Sequence, residues 1–277
     1  VGSSIVLFSI LKLTVVQPRL LNVVLSLFIT LGVAIQIEAQ NDFRRSWHQS
    51  TMFFSQLKLR APALEKGTLL IVDAKVPSWD TTSIPAQDLG IQLNALYAEG
   101  SVTPDFQYWA IPIGEVDDGR LNLLANSSIT TPIQFRVRDQ NFSGQIGKHL
   151  VITYYPPKCL RVLDPDQPFE LIHNNLTRRV NDSNFSLIRP RSTTVGASDR
   201  LDSEREEFEW CHYFQLVDLA NQYQDWEKVL ELTDDVIVKN LGPVDTSEWK
   251  PFLRGLQELG NPEAYKRLSQ YIRLKSS

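Results

Sequence analysis

Two pairs of aspartates are the residues in this sequence best suited to chemistry. Asp117 and Asp118 precede a glycine, and Asp164 and Asp166 flank a proline. Closely spaced carboxylates serve general acid–base catalysis or bind divalent cations. In turns that contain glycine or proline, however, aspartates more often accept hydrogen bonds from their own backbone. The sequence therefore favours solvated turn residues over catalytic carboxylates at both positions.

The other residues capable of catalysis or metal binding show no characteristic spacing. The sequence contains no Cys-x-x-Cys or His-x-x-x-His pattern, no glycine-rich phosphate loop and no Gly-x-Ser-x-Gly motif. The four histidines are scattered along the chain: His48, His149, His173 and His212. We therefore predict no catalytic residue, no cofactor site and no metal site in this chain.

The two cysteines, Cys159 and Cys211, allow two interpretations. They would form a disulfide in an oxidising compartment, or remain buried thiols in a reducing one. Because we expect them to lie in different domains, the sequence favours two free, buried thiols.

A long apolar segment near the N-terminus indicates attachment to a membrane. From Leu20 to Ile37 the sequence contains no charged residue. A helix rises about 1.5 Å per residue, so such a segment spans a hydrocarbon core of about 30 Å. Residues 1–16 are also apolar apart from Lys12, which suggests the end of one transmembrane helix followed by a complete second one. An uncleaved signal anchor and a buried hairpin of a soluble fold are the alternatives.

The side of the membrane on which the rest of the chain lies stays open at this stage. Lys12 and Arg19 precede the span, whereas Arg44 and Arg45 follow it. With Lys58 and Arg60 included, counting cations favours a cytoplasmic position, but this rule weakens when a long domain follows. Five Asn-x-Ser/Thr sequons would suit an exported domain, although such matches also arise by chance. They begin at Asn126, Asn141, Asn175, Asn181 and Asn184.

Beyond the span, the patterns predict a membrane-anchored α+β protein. Short apolar runs such as residues 69–72 and 148–155 predict strands, residues 85–97 show a helical stripe, and residues 142–145 read as a hairpin turn. The predicted organisation is transmembrane segments in 1–40, an amphipathic juxtamembrane helix in 41–62, a mixed α/β domain in 63–165, a linker or long loop in 166–203, and helical hairpins in 204–277.

The C-terminal hairpins resemble tetratricopeptide repeats. Their predicted turns, at Gln224-Asp225 and Gly260-Asn261, are about 36 residues apart, close to the period of about 34 for that repeat. Two hairpins are too few for an independent solenoid, so we expect them to dock on the strands as a helical cap. The expected docking face consists of Trp210, Phe214, Leu219, Tyr223, Trp226 and Leu230.

Three sequence stretches resemble a known group of proteins: FFSQLKLRAPALEKGTLL, YYPPKCLRVLDPD and WCHYFQLVDLANQYQDWEKV. They resemble the C-terminal region of large, mostly uncharacterised bacterial polytopic integral-membrane proteins, some of them glycosyltransferase-like, and the likeness extends over Leu20 to Ile237. Membrane glycosyltransferases of the C type use a lipid-linked sugar and an acidic residue on an early loop. The resemblance implies that this loop lies upstream of Val1, so no catalytic residue is transferred to this chain.

Two functions of different classes follow from these observations. The first is a soluble accessory domain of a polytopic cell-membrane protein, for which the resemblance implies a lipid-linked-sugar glycosyltransferase. Its partners would be the bilayer and upstream transmembrane helices. The alternative is a non-enzymatic, membrane-anchored module that holds a protein partner on its helical hairpins. A formal net charge of −4 over 277 residues argues against a nucleic-acid partner. Further spans upstream with an acidic early loop would favour the first function.

Overall fold

The computed structural model describes residues 18–74, 86–98, 105–113, 126–165, 176–190 and 209–275. It is a mixed helix and strand structure, and its contacts divide the chain into two units, residues 1–48 and 49–277. We call the second of these the compact unit. The predicted end of a first transmembrane helix, within residues 1–16, lies outside the described residues.

The described residues of the first unit, 18–48, are all helical. Helix α1 runs over Pro18–Arg60, and its residues up to His48 belong to this unit. The apolar side chains of its span are exposed, with Leu27 at 68% and Leu31 at 54% of full exposure. This helix is long and apolar enough to cross a membrane, and none of its most apolar 18-residue window is buried. The structure joins the predicted span and the predicted 41–62 helix into one helix, which ends two residues before Pro62.

The compact unit contains nine strands and, beyond the end of α1, six helices among the described residues. The strands are β1 Ala63–Leu64, β2 Leu69–Ala74, β3 Asp105–Phe106, β4 Trp109–Pro112, β5 Pro132–Val137, β6 Gln140–Gln145, β7 His149–Tyr154, β8 Arg161–Val162 and β9 Ile188–Arg189. The helices are α2 Ala86–Tyr97, α3 Thr177–Asn181, α4 Glu209–Gln222, α5 Trp226–Val238, α6 Lys250–Glu258 and α7 Pro262–Lys275.

The central sheet has the strand order β4-β2-β7-β8. Strand β2 pairs in parallel with both β4 and β7, and β8 is antiparallel to β7. Because β2 is buried on both faces, its sequence is a continuous apolar run rather than an alternating one. Leu70 and Val72 pack on one core with Phe53 and Leu57 of α1, whereas Ile71 packs on a second core on the opposite face.

A smaller sheet, of order β3-β6-β5, lies against the second core through Phe106, Ile133 and Phe142. Strands β5 and β6 form an antiparallel hairpin whose turn contains Arg138, at a φ of 55°. The prediction of a hairpin turn at residues 142–145 is therefore wrong. Residues 142–145 belong to strand β6, and Gly144 lies where a Cβ atom would come within 2.8 Å of the Phe142 ring, so this glycine serves close packing within the sheet.

The segment predicted as a linker, 166–203, contains regular structure over its described residues 176–190. Helix α3 buries Leu176 and Val180 against the second core, and β9 pairs with β1. Among the polar residues that suggested a linker, one caps a short element. Asn184 accepts a hydrogen bond from the Ser186 amide at the start of a 3-10 turn.

The four C-terminal helices pack as two consecutive hairpins. The Asp225 side chain caps α5, and Gly260, at a φ of 68°, ends the turn between α6 and α7. Helix α6 packs against both α4 and α5, and α7 packs on α6. The core of this array includes Trp210, Trp249 and Phe252.

The expected docking face differs in detail from the one observed. Trp210 and Phe214 are buried, and Leu219 packs against the first core of the sheet. Trp226, expected to insert between helices, is only half-buried, and the ring of Tyr223 is 43% exposed. Their positions next to a turn place them at the rim of the array. The fully enclosed aromatic residues come instead from the start of the second hairpin.

Gly255 of α6 provides a test of how closely these helices pack. A Cβ atom at this position would lie 2.5 Å from Val229 Cγ1 and 2.8 Å from Asn221 Oδ1, whereas a Cβ at Gly242 would meet nothing closer than 3.8 Å. Because overpacking a buried contact costs about 1–3 kcal/mol, Gly255→Ala should destabilise the protein despite a gain in helix propensity of about 1 kcal/mol.

Chemical unfolding of the full chain in detergent would measure this difference. We expect a net loss of about 1–2 kcal/mol for Gly255→Ala, and either no change or a gain of about 0.4–1 kcal/mol for the control Gly242→Ala. Equal stability of the two variants would show that α4, α5 and α6 are less closely packed than described.

Candidate functional site

The parallel part of the central sheet has a point where its connections diverge. The chain passes from β2 to β4 on one side of the sheet and later enters β7 on the other side of β2. Open α/β sheets bind ligands beyond the carboxyl ends of their strands at such a point. The carboxyl ends of β2 and β7 are therefore the first place to search for a site.

Three polar side chains meet at this edge. Asp73 of β2 lies opposite Thr153 of β7 in the strand register. The Asp73 side chain is buried and accepts a hydrogen bond of 2.8 Å from the Tyr155 hydroxyl, which follows β7 directly. A hydrogen bond to a carboxylate is about twice as strong as one between neutral groups, so this contact holds the Tyr155 ring beside the sheet edge.

A cleft of about 440 Å³ lies beside Thr153 and Tyr155, between the sheet and the C-terminal helices. Its walls combine polar and apolar surface and carry three cationic and three anionic side chains, so their formal charges balance. Besides the two residues named, the lining consists of Lys158, Cys159, Arg161, Val162, Leu163, Asp164, Phe214, Asp218, Asp245, Ser247, Lys250 and Pro251. Such a cleft suits a polar ligand without a large net charge.

Asp245 organises one wall of this cleft. Its carboxylate caps a 3-10 turn by accepting from the Ser247 amide at 2.9 Å, and it pairs with Lys158 at 3.0 Å. Burial opposes its ionisation, but the Ser247 and Lys158 hydrogen bonds outweigh this effect and hold the pKa of Asp245 at about 2. Arg161 completes the wall by donating to the Ser247 hydroxyl at 2.6 Å.

A second opening, of about 470 Å³, lies beside the first and shares Asp164 and Asp218 with it. Asp218 accepts a hydrogen bond of 2.5 Å from Arg60 at the end of α1, and Arg60 also donates to Gln222 at 2.7 Å. The Arg60 side chain is only 3% exposed, so its charge is neutralised where water is scarce. This pair fixes the end of α1 to α4.

Behind the cleft, a set of buried polar contacts joins the strands to the helices. We call this set the junction, formed by Gln56, Cys159, Leu160, Gln215 and Glu248. Gln56 accepts from the Leu160 amide at 2.8 Å, and Gln215 donates to the Leu160 carbonyl at 2.7 Å. The Glu248 carboxylate accepts from the Cys159 amide at 2.8 Å and from the Trp210 indole nitrogen at 2.7 Å. Each of these hydrogen bonds therefore joins groups from different parts of the chain.

Cys159 and Cys211 form a disulfide within the junction. The prediction of two free thiols is therefore wrong. It assumed that the two residues belong to different domains, whereas both lie in the compact unit, and α4 places Cys211 5.3 Å from Cys159, measured between Cα atoms.

The other sequence candidates are dispersed. Asp164 lines both openings, while Asp117, Asp118, Asp166 and His173 lie outside the described residues. His149 is buried in β7, and its ring nitrogens contact the carbonyl oxygens of Ile146 at 2.6 Å and Arg179 at 2.8 Å. Burial lowers its pKa, and these contacts indicate a structural role.

Metal binding finds no support in the described ranges of the chain. His48 belongs to α1 and His212 to α4. No group of three His, Cys, Asp or Glu side chains that could hold a metal ion occurs among the residues described.

The sequence analysis did not identify Asp73, Tyr155 or Asp218 as members of a site. One signal was available, because Asp73 ends an apolar run that suits a doubly buried strand, and polar residues at that position meet at one sheet edge. The contribution of Asp218 depends on tertiary packing and has no local signature.

Comparisons with other proteins leave the site to be judged on its geometry alone. No family model matches the sequence, no curated protein shows significant similarity to it, and no solved structure matches the fold.

The buried carboxyl of Glu248 should make stability depend on pH. Burial raises the pKa of Glu248 above its ordinary value of 4.5, although the Cys159 amide and the Trp210 indole act in the opposite direction. Between pH 4.5 and the folded-state pKa, the folded protein retains a proton on Glu248 that the unfolded chain has lost. The contribution of Glu248 to the free energy of unfolding is therefore full below pH 4.5 and declines as the pH rises through the folded-state pKa.

Unfolding of the full chain in detergent between pH 4 and pH 8 would reveal this decline, if wild type is compared with Glu248→Gln. We expect the decline in wild type to be absent from Glu248→Gln and retained in Glu258→Gln, a control at an exposed glutamate of α6. Parallel pH profiles for wild type and Glu248→Gln would contradict the assignment.

Proposed function

We propose that this chain is anchored in the cell membrane by α1 and that its compact unit is a soluble accessory region of a polytopic membrane protein. The exposed apolar surface of α1 carries this proposal. The helix satisfies its own backbone hydrogen bonds, and its side chains over the span are those that lipid solvates. In water, the same surface would be an exposed apolar patch far larger than soluble monomers tolerate.

The residues after the span support the same proposal. Phe43 is 67% exposed and Trp47 is 62% exposed, and Arg44 and Arg45 lie between them. Aromatic and basic side chains are enriched where a helix leaves the hydrocarbon for the headgroup region. This part of α1 therefore suits the membrane surface and does not need a protein partner to cover it.

We further propose that the membrane protein served by this region is a glycosyltransferase that uses a lipid-linked sugar. The sequence resemblance supports this, and so does a charge-balanced cleft of mixed polar and apolar lining at the sheet edge, which suits a sugar better than a phosphate or a nucleic acid. We assign no catalytic residue to the compact unit. In this proposal it positions or binds a substrate for active-site residues located elsewhere.

The alternative function, a tetratricopeptide-like module that holds a protein partner, is supported by the order of helix contacts. In repeat arrays of this kind, the first helix of a hairpin packs on both helices of the hairpin before it. Helix α6 makes this pair of contacts with α4 and α5. A partner would then bind the outer surface of the array rather than the cleft.

The anchor can be tested on the full chain by placing charges in the span. Leu27 and Leu31 are exposed on α1, and each arginine at the centre of a span costs about 2.5–3.5 kcal/mol for insertion. We expect wild type and the control Leu27→Ala/Leu31→Ala to remain in the membrane pellet after carbonate extraction, whereas Leu27→Arg/Leu31→Arg moves largely to the supernatant.

Two results would contradict the anchor. One is release of the wild-type chain by carbonate alone. The other is a mature chain whose mass corresponds to cleavage near Ala39, which would identify the apolar helix as a removed signal sequence.

A further inference from the structure

The pairing of the two cysteines bears on the side of the membrane that the compact unit occupies. The sequence contains two cysteines, and both are in the Cys159–Cys211 disulfide. Disulfides persist in exported and extracellular proteins, whereas cytosolic thiols are kept reduced. A chain whose cysteines are all paired has the pattern of a protein that folds in an oxidising compartment.

The surroundings of the disulfide show that the fold holds these residues together. Cys159 is 3% exposed and Cys211 is 5% exposed, inside the core of the helical array. The Cys159 amide is held by Glu248, and the next amide, of Leu160, is held by Gln56. Contacts from two other elements thus place Cys159 beside α4, so the bond is part of the native packing rather than an accidental surface oxidation.

The charges flanking the span do not oppose this position. Lys12 and Arg19 precede the span without an acidic residue between them. After the span, Arg44 and Arg45 accompany Glu38 and Asp42, and Arg45 pairs with Asp42 at 3.6 Å. If the compact unit is exported, Lys12 and Arg19 lie on the cytoplasmic side, as cations in short loops do. The larger cation count after the span carries less weight, because long domains cross the membrane largely regardless of their charge.

We propose that the compact unit, residues 49–277, lies in the oxidising compartment outside the cytoplasm, and that the residues before the span face the cytoplasm. The proposal rests on the membrane anchor proposed above. Formation of the bond transfers two electrons and two protons from the Cys159 and Cys211 thiols to a protein disulfide of that compartment, which becomes a dithiol. The chain must therefore bind a thiol oxidant transiently during folding, before the junction closes around Cys159 and Cys211.

The test uses the full chain in a bacterial inner membrane. Cells are quenched in acid, denatured and treated with a maleimide polymer before or after reduction. We expect the wild-type chain to carry no attached polymer when it is treated before reduction, and two attached polymers when it is treated after reduction. The control Cys211→Ser should take up one polymer in both cases. In cells that lack the oxidant of the exported compartment, wild type should instead take up two before reduction.

Protease treatment supplies an independent readout of the side. We expect protease added to spheroplasts to digest the compact unit, and protease added to inverted vesicles to leave it intact. Two polymer additions without reduction in normal cells, or digestion only in inverted vesicles, would overturn the proposal. A closed disulfide in a chain that carbonate releases would overturn the anchor instead, while leaving the oxidising compartment supported.

Discussion

The Glu248 carboxylate lies in the interior of the compact unit, where it accepts hydrogen bonds from the Cys159 amide and the Trp210 indole. Two such bonds to a charged group contribute about 1.5–3 kcal/mol each, and leaving either donor buried without its partner would cost a comparable amount. Glu248 and Trp210 belong to the helices and Cys159 to the loop after β7. This carboxylate therefore joins the helices to the strands in addition to the apolar contacts between them.

The rest of the junction extends the same constraint into a site. Gln56 and Gln215 hold the backbone of Leu160, and Arg60 holds Asp218 at the rim of the cleft. Residues 53–70, 154–166 and 210–229 each supply part of this set. Residues that seemed to define three separate motifs thus form one structural feature, and the cleft is the solvent-accessible side of that feature.

Local patterns were sufficient to predict much of the fold. The apolar run at residues 69–72 is strand β2, the stripe in 85–97 is α2, and the turn residues Gly260 and Asn261 separate α6 from α7. Their signals are contained within a few neighbouring residues. The disulfide, the pairing of β9 with β1, and the contact of Arg60 with Asp218 join residues 52 to 158 positions apart. No pattern within a window of ten or twenty residues specifies such pairs, so the site could not be assembled from the sequence.

The central claim of this account is that the strands and the C-terminal helices fold as one body because the junction connects them. Native-state hydrogen exchange of the full chain in detergent measures this directly, since amides that open together share one free energy of opening. The account predicts that the slowest amides of β2 and β7 and those of α4 and α6 exchange with the same free energy and respond equally to added denaturant. If the α4 and α6 amides exchange at a free energy several kcal/mol lower while β2 and β7 stay protected, the helices are a separate module and the claim is wrong.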